Sequence, residues 1–212
     1  MTKLVQLKQT DLLARAPKQA RGKVKVEKIL AAAEELILKH GADGFSSPMV
    51  AESAGIPVAS VYQFFPTRYA ILRTLAERNY EAMSAALLNH FKNKQVENWT
   101  AAVNESIDVS AAFSNDNPIS MALFLNGPVR AEAIDVVSPS AMELANHIAK
   151  AIIDDGYAPD ASIPRGMEPI TLLMDLVQTV FAASYRVDGK ISDHAREEAK
   201  RVAIDYLGRY MA

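Results

Sequence analysis

Residues 47 to 66 read SPMVAESAGIPVASVYQFFP, and the chemistry that they can do is non-covalent. Val50, Ala51 and Ala54 repeat at helical spacing. Ala51 is small enough for a second helix to cross closely over it. Gly55 stands four residues on, where a helix-ending residue often takes φ > 0. Ile56 can tuck beneath the turn, and Pro57 suits the start of a following helix, where its missing N–H costs nothing. Val61 and Phe65 then fall i, i+4 on one face of that helix. Small residue, glycine and apolar residue at these intervals form the packing pattern of a helix-turn-helix, whose second helix enters the DNA major groove.

Covalent chemistry has little to work with. The four histidines, His40, His90, His147 and His194, include no i, i+4 pair and no HExxH motif. There is no Gly-rich phosphate loop, and no local signature marks a serine nucleophile. His90, His147 and nearby carboxylates are the only metal candidates, and plain structural roles suit them better. No metal, no cofactor and no enzymatic activity are expected. The absence of cysteine removes disulfides, thiolate nucleophiles and thiolate metal sites, and makes a reducing cytoplasm the simplest setting. No apolar run approaches about 18 residues, so no membrane-spanning helix and no membrane partner are expected. The first residues carry charge throughout and hold no signal-peptide apolar stretch.

Charge is unevenly placed. The chain of 212 residues has a formal net charge of only −2. Residues 1–70 hold ten Lys/Arg against six Asp/Glu, while residues 71–212 hold thirteen against nineteen. Within the first 25, seven cations (Lys3, Lys8, Arg15, Lys18, Arg21, Lys23 and Lys25) face Asp11 alone. Such asymmetry suits a nucleic-acid-binding end joined to something else, although basic termini also serve solubility.

The elements that must position these residues read as helices throughout. The spacing predicts an all-α chain of about nine helices, with an N-terminal three-helix helix-turn-helix domain ahead of a helical ligand-binding and dimerisation domain. The first helix runs from about Val24 to His40, with Val26, Ile29, Leu30, Ala33, Leu36 and Ile37 on one stripe and Gly41 ending it. Ser46 or Ser47 caps the next helix, with Pro48 in its first turn. The recognition helix spans about Val58 to Phe65, and Thr67 caps a long helix from Arg68 to about Lys92. Further helices are expected near 99–114, 118–126, 139–155, 167–187 and 192–210. The organisation expected is a basic arm over 1–22, a helix-turn-helix domain over 23–70 and an effector-binding and dimerisation domain over 71–212.

Residues 22–80, through ILAAAEELILKHG and FSSPMVAESAGIPVASVYQFFPTRYAIL, resemble the DNA-binding domain of TetR-type transcriptional regulators. The resemblance covers about sixty residues in order and spacing. It implies that the Tyr62 hydroxyl bonds a phosphate, that Ser60 does the same and that Arg68 anchors the DNA backbone. Ser46 or Ser47 would set the first short helix against a phosphate through its N-terminus. Gln63, with Ala59 and Phe64, would read base edges: Gln can bond adenine bidentately, and apolar side chains can touch a thymine methyl. Phe65 is expected in the core, whereas Phe64 suits core and contact equally. The sequence departs from the family where Pro57-Val58-Ala59 replaces a common Ser-Lys-Gly, which removes two phosphate contacts. Lys18, Arg21 and Lys23, with Lys25, could compensate, Lys18 and Arg21 from a flexible arm in a minor groove.

The remaining helices resemble the family in number and layout. Met83, Leu87, Phe91, Trp99, Phe113, Met121, Phe124, Met142 and Phe181 are candidates for an apolar effector pocket, each otherwise plain core. Asn104, Asn126, His147, Gln178 and Tyr185 are polar candidates beside them. The last two helices offer Leu173, Leu176, Val177, Val180, Val202, Ala203, Tyr206, Leu207 and Tyr210 for a four-helix bundle across a two-fold axis. The expected molecule is a homodimeric repressor that holds a palindromic operator in double-stranded DNA and is released by an unidentified small apolar or amphipathic effector. The alternatives are a ligand-independent or activating DNA binder of the same fold, and a helical-bundle enzyme or small-molecule carrier.

Overall fold

The computed structural model of the chain describes residues 20–92, 94, 96–124 and 168–211. Among the described residues there are eight α-helices, a closing 3-10 turn and no strand. They are α1 (Ala20–His40), α2 (Ser47–Ala54), α3 (Val58–Phe64), α4 (Arg68–Phe91), α5 (Trp99–Asp116), α6 (Pro118–Phe124), α7 (Pro169–Asp188) and α8 (Asp193–Leu207), with the turn at Gly208–Tyr210. The helix expected over 139–155 lies outside the described residues.

The chain divides into two compact units, and the division falls between Arg78 and Asn79. The first unit thus extends past residue 70, because Ile71, Leu72, Leu75 and Ala76 of α4 are buried. Its core also holds Ile29, Leu30, Ala33 and Ile37 of α1, Val50 and Ala51 of α2, and Val61, Phe64 and Phe65. α2 packs against both α1 and α3. Arg78 holds Glu27 bidentately, at 2.7 and 2.6 Å, which ties α4 to α1. The Arg78 guanidinium lowers the Glu27 carboxyl pKa by hydrogen bonding, while burial raises that of Glu34.

In the second unit α8 packs against α7 and α5, and α6 against α5 and α7. Asn98 caps α5 by accepting from the Ala101 N–H at 2.9 Å, and Ser192 caps α8. The turn between α7 and α8 is clamped by Asn115 of α5, which donates to the Ile191 carbonyl at 3.0 Å and accepts from its N–H at 2.8 Å. A charge cluster reinforces the α5–α8 contact: Asp108 faces Lys200 at 2.8 Å and Arg196 at 3.2 Å. α7 has the length and apolarity of a membrane span, with a mean hydropathy of 1.2 over its best window, contrary to the sequence expectation. It packs against α6 and α8, with Ile170, Leu173, Phe181 and Ala182 buried.

Candidate nucleic-acid interface and effector cavity

The helix-turn-helix is built by backbone hydrogen bonds at its turn. The Ser46 hydroxyl caps α2 by accepting from the Met49 N–H at 3.5 Å. α2 ends at Gly55, whose φ of 65° and ψ of 37° are left-handed. The Gly55 N–H donates to the Glu52 carbonyl at 3.1 Å and the Ile56 N–H to the Ala51 carbonyl at 3.0 Å. This pair of bonds is a Schellman closure: it satisfies the last carbonyls of α2 and reverses the chain within two residues. Pro57, at φ −60° and ψ 138°, then occupies the N-cap of α3 without a side-chain cap bond.

α3 sorts its residues by face. Val61 is fully buried, as is Phe65, which lies one residue past the helix and donates its N–H to the Val61 carbonyl at 2.8 Å. On the other side Tyr62 is 45% exposed, Ala59 and Gln63 are exposed, and Ser60 is half-buried. Phe64 is 8% exposed and belongs to the core, so its expected base contact is corrected. The seven-residue helix turns position 64 inward beside Val61 and leaves positions 59, 62 and 63 as the outward face. Ser47 is likewise buried, so only the Ser46 hydroxyl and the backbone remain at the start of α2.

The Thr67 hydroxyl caps α4, accepting from the Ala70 N–H at 3.2 Å. Arg68 opens that helix but is not extended: its guanidinium donates to the Asp43 carbonyl at 2.9 Å and to the Tyr69 hydroxyl at 3.2 Å, and lies 3.4 Å from the Asp43 carboxylate. It also sits 4.9 Å from the Tyr69 ring centroid. The sequence carried no signal for Asp43 and Tyr69 as its partners. Arg21 and Lys23 are exposed residues of helix α1, which corrects the placement of Arg21 in a flexible arm. Lys18 lies outside the described residues.

The second unit contains a cavity of about 120 Å³. From α4 it is lined by Asn79, Tyr80 and Met83; from α5 by Val103, Ser106, Ile107, Ser110 and Ser114. α6 adds Ser120 and Phe124, and α7 adds Leu173, Met174, Val177, Gln178 and Phe181. Of the expected pocket residues, Met83, Phe124, Gln178 and Phe181 line it. Leu87 and Met121 are buried in the core elsewhere, and Phe91, Trp99 and Phe113 are partly exposed; none of these five is among the lining residues. Met142, Asn126 and His147 lie outside the described residues. Asn104 and Tyr185 do not line it either.

The tilted rings of Tyr80 and Phe124, centroids 4.9 Å apart, make an aromatic corner of the cavity. Opposite chemistry comes from the serines, which the sequence reading missed. Their signal was the spacing 106, 110, 114, i, i+4, i+8 along one helix. Ser106 donates to the Ala102 carbonyl at 2.8 Å, and Asn79 donates to the Ser120 hydroxyl at 3.3 Å.

The expected dimer face divides three ways. Ala203 and Leu207 are fully buried in their own unit, where α8 meets α7 and α5, so they are corrected from interface to core. Leu173 and Val177 line the cavity. Leu176 is 38% exposed, while Val180, Val202, Tyr206 and Tyr210 are half-buried, and the last two rings meet at a tilt with centroids 5.6 Å apart. His90 is paired with Glu105 at 2.9 Å, and Lys94 and His90 hold that carboxyl below its ordinary pKa.

Residues 29–75 match the family described as bacterial regulatory proteins, tetR family. The structure is similar to a TetR-family transcriptional regulator from Streptomyces coelicolor, at 22% identity and a TM-score of 0.66, covering 91% of this chain and 100% of that one. It is similar also to AmtR of Mycobacterium smegmatis, at 23% identity and a TM-score of 0.53, covering 92% of this chain and 89% of that one. A third likeness is to RolR in complex with resorcinol, at 16% identity and a TM-score of 0.58, covering 91% and 90%. At these identities the likeness is one of fold. No curated protein matches the chain in sequence.

Proposed function

We propose that this chain, a member of the TetR family of bacterial transcriptional regulators and so a non-enzymatic DNA-binding regulator, is a repressor released from a palindromic operator by a small effector. The observation that carries this reading is the sorting of α3. Its hydrogen-bonding residues Tyr62 and Gln63 stand outward with Ala59, over a face fully buried through Val61. Tyr62, Ser60 and the N-terminus of α2 hold phosphates; Gln63 reads an adenine edge and Ala59 a thymine methyl. Arg68 joins them by exchanging Asp43 for a phosphate, and Arg21, Lys23 and Thr67 flank the same backbone.

Two copies are needed, because one half-site contact is weak and two linked ones raise affinity. Leu176, Val180, Val202, Tyr206 and Tyr210 supply the pairing surface. The cavity in the second unit receives the effector, in keeping with RolR, a protein of like fold that holds resorcinol. Asn79, Tyr80 and Met83 of that cavity belong to α4, the helix whose other end carries Arg68. An effector that favours a different setting of α4 changes the spacing of the two recognition helices. Half-sites repeat at roughly 34–36 Å, so a shift of a few Å spoils simultaneous docking.

Selection of bound DNA from a random pool tests the reading. The expected result is a palindrome whose half-site centres lie about one helical turn apart. Recovery of no preferred sequence overturns it.

A further inference from the structure

The geometry points to the class of effector: we infer that the cavity takes an uncharged, single-ring arene bearing at least one hydroxyl group. The inference rests on reading this cavity as the effector site. Size comes first. An engineered apolar cavity of roughly 150 Å³ holds benzene, and this one measures about 120 Å³. A single ring fits that space.

The walls then set the chemistry. Tyr80 and Phe124 present ring faces and edges to a guest of their own kind, with Met83 adapting beside them. Ser110 and Ser114 form a polar stripe one helical turn apart on α5. Ser114 is only 7% exposed, and among the described residues neither its hydroxyl nor that of Ser110 has a hydrogen-bond partner. Ser106, on the same stripe, instead spends its hydrogen on the Ala102 carbonyl. A guest that covers these hydroxyls without bonding them leaves them unsatisfied, whereas one that bonds them avoids that cost. Each serine both donates and accepts, so a phenolic O–H suits the pair in either direction.

Charge decides against the nearest competitors. Among the described residues, every lining group is neutral. A carboxylate or ammonium on the ring would be desolvated there without a counter-charge.

Calorimetric titration of the full-length protein with phenol, toluene and benzoate tests this. Phenol is expected to bind about tenfold more tightly than toluene, the size of one net hydrogen bond, with benzoate weakest. Ser114→Ala and Ser110→Ala are expected to narrow the phenol–toluene gap to about threefold or less, with toluene affinity and circular dichroism unchanged. Ser114→Thr, which keeps a hydroxyl, retains the preference. Equal binding of phenol and toluene overturns the inference, as does tightest binding of benzoate or binding of none of the three. Release of the selected operator is measured separately by fluorescence anisotropy. Arene binding without release sinks the regulatory reading and leaves the ligand class standing. Arenes that fail to bind, while another compound releases the DNA, do the reverse.

Discussion

Tyr62 stands outward on α3 at 45% exposure, with a hydroxyl that both donates and accepts. On the proposed reading its hydroxyl contributes one phosphate contact and carries no base information. Tyr62→Phe should therefore weaken operator binding by about 1 kcal/mol, roughly fivefold, equally for the chosen operator and for its single-base variants. Competition binding against those variants checks it; a change confined to one variant would mean that Tyr62 reads a base. Phe64 makes the opposite prediction. Because it is buried, Phe64→Ala should cost about 3 kcal/mol of stability in urea denaturation. A base-reading Phe64 would leave stability intact and damage only DNA binding. The sequence alone left this residue open between the two roles, since periodicity over seven residues fixes a face only to within one position. Arg68 was legible as a cation at a helix start, but not its hold on Asp43, because a loop partner 25 residues away leaves no periodic trace.

The turn between α2 and α3 was the most legible element. Its glycine, the apolar residue after it and the proline all stand where the backbone needs them, and Gly55 adopts the left-handed φ that its position required. A Cβ at Gly55 would meet nothing within 4 Å, so the cost of Gly55→Ala is conformational alone. It should destabilise the chain by about 1–2 kcal/mol, read as a lower urea midpoint with an unchanged slope. The α1–α4 tie behaves differently. Glu27 and Arg78 are both well exposed, so Glu27→Gln should cost only about 0.5 kcal/mol at neutral pH. The Glu27 carboxyl titrates below its ordinary value in the fold. Its contribution is therefore complete above the unfolded value near about 4.3, and fades as pH falls through the lower folded value. Denaturation of wild type and Glu27→Gln at pH 7 and pH 3 should show the difference shrinking in acid. A difference that grew in acid would reverse the assignment.

At the scale of the molecule, the uneven charge predicts how DNA binding responds to salt. Arg21 and Lys23 are exposed on α1. If both neutralise phosphates, replacing them with alanine should flatten the plot of log affinity against log salt by about 2. An unchanged slope would remove them from the interface. All-α architecture and helix spans were legible because a 3.6-residue period is written locally. The cavity was mostly not, because a void is defined by which helices converge, and aromatic and methionine content marks core and pocket alike. For that reason periodicity alone assigns Leu173 and Val177 to a partner's surface, and residue type alone assigns Trp99 and Phe113 to the pocket. The turn at Gly55 has one more implication. Its geometry comes from main-chain bonds and a glycine, and the anchoring of α3 comes from Val61, Phe64 and Phe65. Positions 59 and 63 serve neither task, so if they read base edges as proposed, the DNA address of this protein is an interchangeable part: a library randomised at those two sites should keep its fold while its members acquire different operators.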